Sequence, residues 1–428
     1  MYKKILRTIS ILTCFFLIFI PVIFAGWEEG QPFGEFSKAD ILKGVNSIWI
    51  VGQASSFEYP AFQFINNKWM TVDRNAMSKD LIFSNPAVGI IEGGIEIVPV
   101  NSERYYVIPN HRNNSIIVSL NGGQDIYSQF KLDIKGFYSI RTMDVSGNKI
   151  LIAAFINYPL EEGEEEIDRT QMACGYDGGV FSLRLVIFDV STKTWTIHPS
   201  PPITEGITCG FLSGQEIWLG TCEFSEMGTA FGGMHGIAIY NMEKRKYTYL
   251  NTDNSPLKSN GIIKMKKYGP DLWIVTVKGI QRYSFTTGKW DFYMIDKKVT
   301  ILSDANIYLS GDNQIGTIKK GNTLIAGQAY SRRCSVPLDK QMEGWVVGNE
   351  EWVESHIRKE NEINYLILPN NAVVYSKPSK DSVKIPVEIT YMSGLKYRII
   401  SRNQEWIKVQ ISEGWIDGSQ VWPVVVEE

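Results

Sequence analysis

A handful of side chains in this sequence have the chemistry to meet a ligand. Phe57, Tyr59, Tyr158 and Tyr176 lie in segments that join apolar runs, where an aromatic ring is free to contact a partner. His235, in Gly232-Gly233-Met234-His235-Gly236, has an imidazole suited to general-base work or metal ligation. No Ser or Cys motif accompanies it, and the Gly-Gly pair also suits a tight turn ahead of a strand. His111, His198 and His356 have less support. Near the C-terminus, Tyr375, Trp406 and Trp415 could line a peptide groove, although Trp415 serves equally well as a core residue. The run Glu161-Glu162-Gly163-Glu164-Glu165-Glu166-Ile167-Asp168 supplies the carboxylates that hard cations require. Its spacing matches no calcium loop, so a solvated loop is expected. Nucleophile elbow, phosphate loop and metal-ligand spacing are absent from the sequence, and no catalytic residue, metal or cofactor is expected.

These residues need elements to position them, and the chain repeats one. Residues 271–290 read as two apolar strands, a Thr-Thr-Gly turn and a third strand beginning at Trp290. Similar copies start at Ser47-Ile48-Trp49-Ile50-Val51, Gly94-Ile95-Glu96-Ile97-Val98, Asn148-Lys149-Ile150-Leu151-Ile152 and Glu216-Ile217-Trp218-Leu219-Gly220. The second copy continues through Ser115–Val118 and Gly123–Tyr127. Segments 138–145, 207–212 and 261–266 are fit to be innermost strands. A sheet this small cannot bury both faces alone, so recurring copies imply stacked blades. The reading is all-β: a β-propeller of about five blades, or six, over residues 26–296. Long connections after the apolar strands of copies three and four should build up one face. Trp49, Trp218 and Trp273 repeat at one blade position, which argues for packing between blades.

Asn260-Gly261-Ile262, Leu272-Trp273-Ile274-Val275-Thr276, Gly279-Ile280-Gln281-Arg282-Tyr283 and Thr287-Gly288-Lys289-Trp290 resemble the two-component-regulator propeller repeat. Ile217-Trp218-Leu219-Gly220-Thr221 matches its core, and the earlier copies match loosely. The resemblance implies a propeller of the kind common in signalling sensors. This chain carries no kinase or DNA-binding segment.

After residue 363 the pattern changes. Val374-Tyr375-Ser376-Lys377-Pro378-Ser379, Trp406-Ile407-Lys408-Val409 and Gly414-Trp415-Ile416 resemble the bacterial Src-homology-3-like domain over residues 363–425. A degenerate copy is read over 297–356 from Asn306-Ile307-Tyr308, Ile315-Gly316-Thr317 and Gly344-Trp345-Val346, or else residues 299–330 supply a final blade. That resemblance implies cell-wall peptides as the default ligand class.

Residues 1–25 read as a secretion signal: Lys3, Lys4 and Arg7 precede an apolar run, and Phe24-Ala25-Gly26 offers a small-residue cut. Left uncleaved, the run would act as a membrane anchor. Export permits disulfides. Cys174 and Cys222, both in the long connections, form the favoured pair, with Cys209 as rival partner and Cys334 apart. With a net charge of −3, nothing calls for a nucleic-acid partner. The expected function is that of an exported, non-enzymatic binding protein. Its propeller face would recognise a protein or glycan of the cell envelope, peptidoglycan among the candidates, and its barrels would tether it. A polysaccharide-acting enzyme and a sensor component are the alternatives.

Overall fold

The computed structural model describes residues 31–54, 57–74, 77, 90–91, 95–100, 103–110, 113–120, 129–135, 137–158, 180–199, 206–222, 224–226, 229–231, 234–310, 313–330, 332–351, 353–360, 362–368, 372–385, 396–403 and 405–428. The stretch 271–290 forms the strands that its pattern predicts. Asp271–Thr276 pairs with Gly279–Ser284, which pairs with the strand starting at Trp290. Between the last two, Gly288 at φ 70 lets its N–H reach the Ser284 carbonyl at 2.8 Å. Lys193 and Arg245 take the same left-handed conformation in the equivalent turns of the two preceding sheets. There Asp189 and Asn241 side chains accept turn N–H groups, a local bond that favours turns.

Among the described residues, five successive antiparallel sheets each contain four strands in chain order. Their inner strands are Lys38–Lys43, Ile95–Val100, Phe137–Ser146, Ile207–Ser213 and Ile262–Tyr268. The last three agree with the inner strands expected from sequence. The second sheet does not follow its expected register. Ile95–Val100 is its inner strand rather than its second, the unforeseen Glu103–Asn110 follows, and Gln129–Asp133 is outermost. Segment 123–127 lies outside the described residues.

Much of the propeller core is divided into slabs drawn from neighbouring sheets. One joins sheets two and three through Val107, Ile116, Ile152 and Val186. Others join three to four through Leu185 and Leu219, and four to five through Trp218 and Ile274. A further slab joins five to one, with Trp273 against Phe64. That closure makes the molecule a β-propeller. Trp49, Trp218 and Trp273 are 2%, 5% and 2% exposed; Trp218 and Trp273 pack between neighbouring sheets, whereas Trp49 clusters with Ala61 and Met77.

The C-terminal strands depart from two modules in tandem. The long strands Arg333–Val347 and Trp406–Asp417 pair along both halves of this region, with an irregularity between Pro337 and Met342. Residues 333–337 and 413–417 belong to a proximal lobe with Ala305–Ser310 and Asn313–Ile318. Residues 342–347 and 406–411 belong to a distal lobe with Ile363–Ile367, Val374–Tyr375 and Lys396–Arg402. The two copies have exchanged their closing elements. A Cβ on Gly344 would lie 2.3 Å from Val374 of the second copy, and one on Gly414 would lie 2.5 Å from Ile307 of the first. Only glycine admits such approach. The boundaries 297–356 and 363–425 therefore do not separate two barrels.

The chain then returns. Val421–Trp422 pairs with Lys298–Ile301, and Val425–Glu427 adds a fifth strand to sheet five beside Trp290–Ile295. At the other terminus, Gln31–Pro32 pairs with Gln328–Tyr330. Propeller and proximal lobe share one core, in which Phe33, Phe36 and Phe62 meet Ala329, Cys334 and Ile416.

Candidate ligand-binding site

Alternation of strand direction gives the propeller two unlike ends. Turns between first and second strands, and between third and fourth, emerge at one end; the remaining connections emerge at the other. The long connections of sheets three and four belong to the second end, and so does the segment carrying Phe57 and Tyr59.

Phe57 and Tyr59 are not ligand contacts. They are 1% and 0% exposed, because the proximal lobe and the entering chain cover them. Phe33, Phe57 and Tyr59 meet edge to face with centroids 5.5–5.7 Å apart, and Phe36 joins Tyr59 at 5.6 Å. The Tyr59 hydroxyl donates to the Glu35 carbonyl at 3.0 Å and accepts from the Gly34 N–H at 2.9 Å. Burial pushes its pKa well above the usual phenol range. Phe57 presses on Gly418 so closely that a Cβ there would lie 1.9 Å from its ring. These rings seal the lobe to the propeller.

The other candidates are scattered. His235 is exposed, and its backbone N–H donates to the Thr221 hydroxyl at 2.9 Å. Cys222 is buried near it. Cys174, Tyr176, the side chain of Tyr158 and the acidic run 161–168 lie outside the described residues, so the Cys174–Cys222 pair does too. Tyr375 and Trp406 do come together, edge to face at 5.6 Å on the distal lobe, with Tyr375 8% exposed. Trp345, which pairs with Tyr375, carries the Lys408 ammonium 5.8 Å above its ring. Trp415 is core.

The end of the propeller away from the lobe holds a cleft of about 400 Å³ between sheets one and five. Three turns build its walls: Lys43 to Ile48, Ile65 to Asn67, and Tyr268 to Asp271. The Gly44 N–H donates to the Ser47 carbonyl at 2.9 Å and shapes the first turn. Asn66 and Asn67, at φ 50 and 59, form the tight second turn that a two-residue hairpin demands. Both amides are exposed. Phe64 and Trp273 form the floor, with centroids 4.9 Å apart.

Arg282 lies over that floor. Its guanidinium carbon is 5.7 Å from each ring, a cation–π arrangement, and its terminal nitrogen is 2.9 Å from Asp271 Oδ2. The hairpin register explains the set: Trp273 stands opposite Arg282, and Asp271 opposite Ser284. Arg282 Nε and Asp271 Oδ1 have no hydrogen-bond partner within the protein. An unmet buried polar group costs about 1–3 kcal/mol. Tyr268 closes one wall; its hydroxyl donates to the Ile41 carbonyl at 3.0 Å. Its pKa is pushed up to about 12 by burial, with Asp40 and Asp144 adding to the shift. Sequence reasoning missed this cleft because its residues come from turns more than 200 positions apart. The one available signal was a charged pair, Asp271 and Arg282, on the strands of a hairpin rich in apolar residues.

No protein-family model matches the chain, and no curated protein matches it. Among solved structures, it is similar to PorZ, a bacterial surface component of the type-IX secretion system of Porphyromonas gingivalis. Identity is 12% and the TM-score 0.28, over 82% of this chain and 45% of that one. It is also similar to the extracellular domain of the putative one-component system BT4673 from B. thetaiotaomicron, at 11% identity and TM-score 0.26, over 88% and 50%. A cobalt-substituted Synechocystis ACO follows at 9% and 0.25, over 62% and 58%. The chain thus spans roughly half the length of these structures. The fold assignment rests on the sheet topology above.

Proposed function

We propose that this is an exported, non-enzymatic binding protein that recognises a protein or glycan of the cell envelope. The observation that carries the reading is the cleft between sheets one and five. It is open and small, and it sets amides and charged groups over an aromatic floor, the usual make-up of a small-ligand site. The positive-then-apolar character of residues 1–25 supports export. Trp345, Tyr375 and Trp406 supply a second aromatic feature on the distal lobe, suited to tethering in the Src-homology-3-like manner. Because propeller and proximal lobe share a core, binding is best tested on the intact chain.

The experiment is a glycan array and a peptidoglycan pull-down with the intact protein, Arg282→Ala and Trp406→Ala. The reading expects retention of a glycan or wall fragment that one variant weakens. Failure of both assays would remove it. Depolymerisation of a glycan would replace it with the enzyme reading.

A further inference from the structure

We infer that the cleft between sheets one and five takes an anionic ligand, a small saccharide bearing a carboxylate or a phosphate, with Lys43 as the side chain that selects it. The inference rests on the binding reading above and goes further by naming the ligand chemistry.

Three charged side chains line the cleft: Lys43, Arg282 and Asp271. Two cations against one anion leave a single positive charge. Asp271 holds Arg282 at 2.9 Å, so the surplus resides on Lys43. Lys43 ends the inner strand of sheet one, is exposed, and meets no carboxylate within ion-pair distance among the described residues. The nearest acid on its own strand, Asp40, is paired with Lys264 at 3.6 Å. A positive site therefore stands on a chain whose net charge is −3, so it is not the product of a generally basic surface.

The rest of the lining suits a polyol. Asn46, Asn66 and Asn67 offer amide donors and acceptors from two turns. A cavity of about 400 Å³ lies at the small end of the usual range for ligand pockets, which favours a short saccharide end over a long chain.

The test titrates the intact protein by calorimetry with three probes: a galacturonate oligosaccharide, a hexose phosphate and a neutral maltooligosaccharide. Binding is measured for the natural sequence, Lys43→Glu and Lys43→Arg, at low and moderate salt. An anionic probe should bind at least about tenfold more tightly than the neutral one, and salt should weaken it. Lys43→Glu should remove that preference without altering thermal stability, and Lys43→Arg should keep it. Whichever anionic probe shows the larger Lys43 dependence identifies carboxylate or phosphate. Equal affinity for neutral and anionic probes, an unchanged Lys43→Glu, or no binding of either anion would overturn the inference. If neutral glycans still bind, the binding reading stands alone. If nothing is retained in the array or pull-down either, that reading falls as well.

Discussion

Sheets one and five carry aromatic rings at both ends, and the two ends have met opposite fates. At the lobe-facing end, Phe57 and Tyr59 are packed against Phe33 and Phe36 of the entering chain and covered by the proximal lobe. At the other end, Phe64 and Trp273 lie beneath an arginine and three open turns. The residue types are similar; what covers them differs. An aromatic ring in a propeller connection becomes glue when a neighbouring module lands on it. It becomes the floor of a site when only short turns surround it.

The contrast can be broken most forcefully at the sealed end. Phe57→Ala should cost about 4 kcal/mol in urea unfolding, within the range for losing a fully buried aromatic. A loss below 1 kcal/mol would mean that the lobe does not rely on this contact. Tyr59→Phe keeps the ring but strands the Gly34 N–H and the Glu35 carbonyl, and should cost about 1–2 kcal/mol. At the open end, Arg282→Ala should cost about 1 kcal/mol, because its partly exposed pair with Asp271 is screened by water. The same change should weaken ligand retention. Equal effects of Phe57→Ala and Arg282→Ala on both stability and binding would erase the distinction between the ends.

The smallest effect concerns the inner strands. Asp144 is half-buried and accepts the Leu212 N–H at 3.1 Å, and desolvation raises its pKa despite Lys266. A carboxyl whose folded pKa is raised binds its proton more tightly in the folded chain. Its contribution to stability therefore falls as pH rises from the ordinary carboxylate value of 3.8 through the raised one. Asp144→Asn, which keeps an acceptor for Leu212, should raise the melting temperature slightly at pH 7 and less at pH 4. A gain that is the same at both pH values would contradict this assignment.

The propeller was legible because its signals are local. Apolar strands, polar turns and the recurring tryptophans each occupy a few consecutive residues, and the inner strands of sheets three to five could be named. Sheet two was read out of register because Glu103–Asn110 opens with charge and contains Pro109, which masks a strand. The exchange between the C-terminal copies was not legible. Gly344 and Gly414 announce a close approach, but the sequence does not say which strand approaches. Of the expected site residues, Tyr375 and Trp406 do adjoin, whereas Phe57 and Tyr59 look exposed only if the lobe is ignored. The cleft depends on ring closure, which brings Lys43 beside Asp271, and no local pattern encodes that.

The central claim is that ligands meet the open end of sheets one and five while the lobe occupies the other. Hydrogen exchange of the intact protein, with and without a saturating galacturonate oligosaccharide, tests it most directly. The account predicts added protection at 43–48, 65–67 and 268–273, with 31–37 and 57–59 already protected and unchanged. Added protection confined to 31–37, 57–59 or the segment around His235, with none at the three turns, would contradict it.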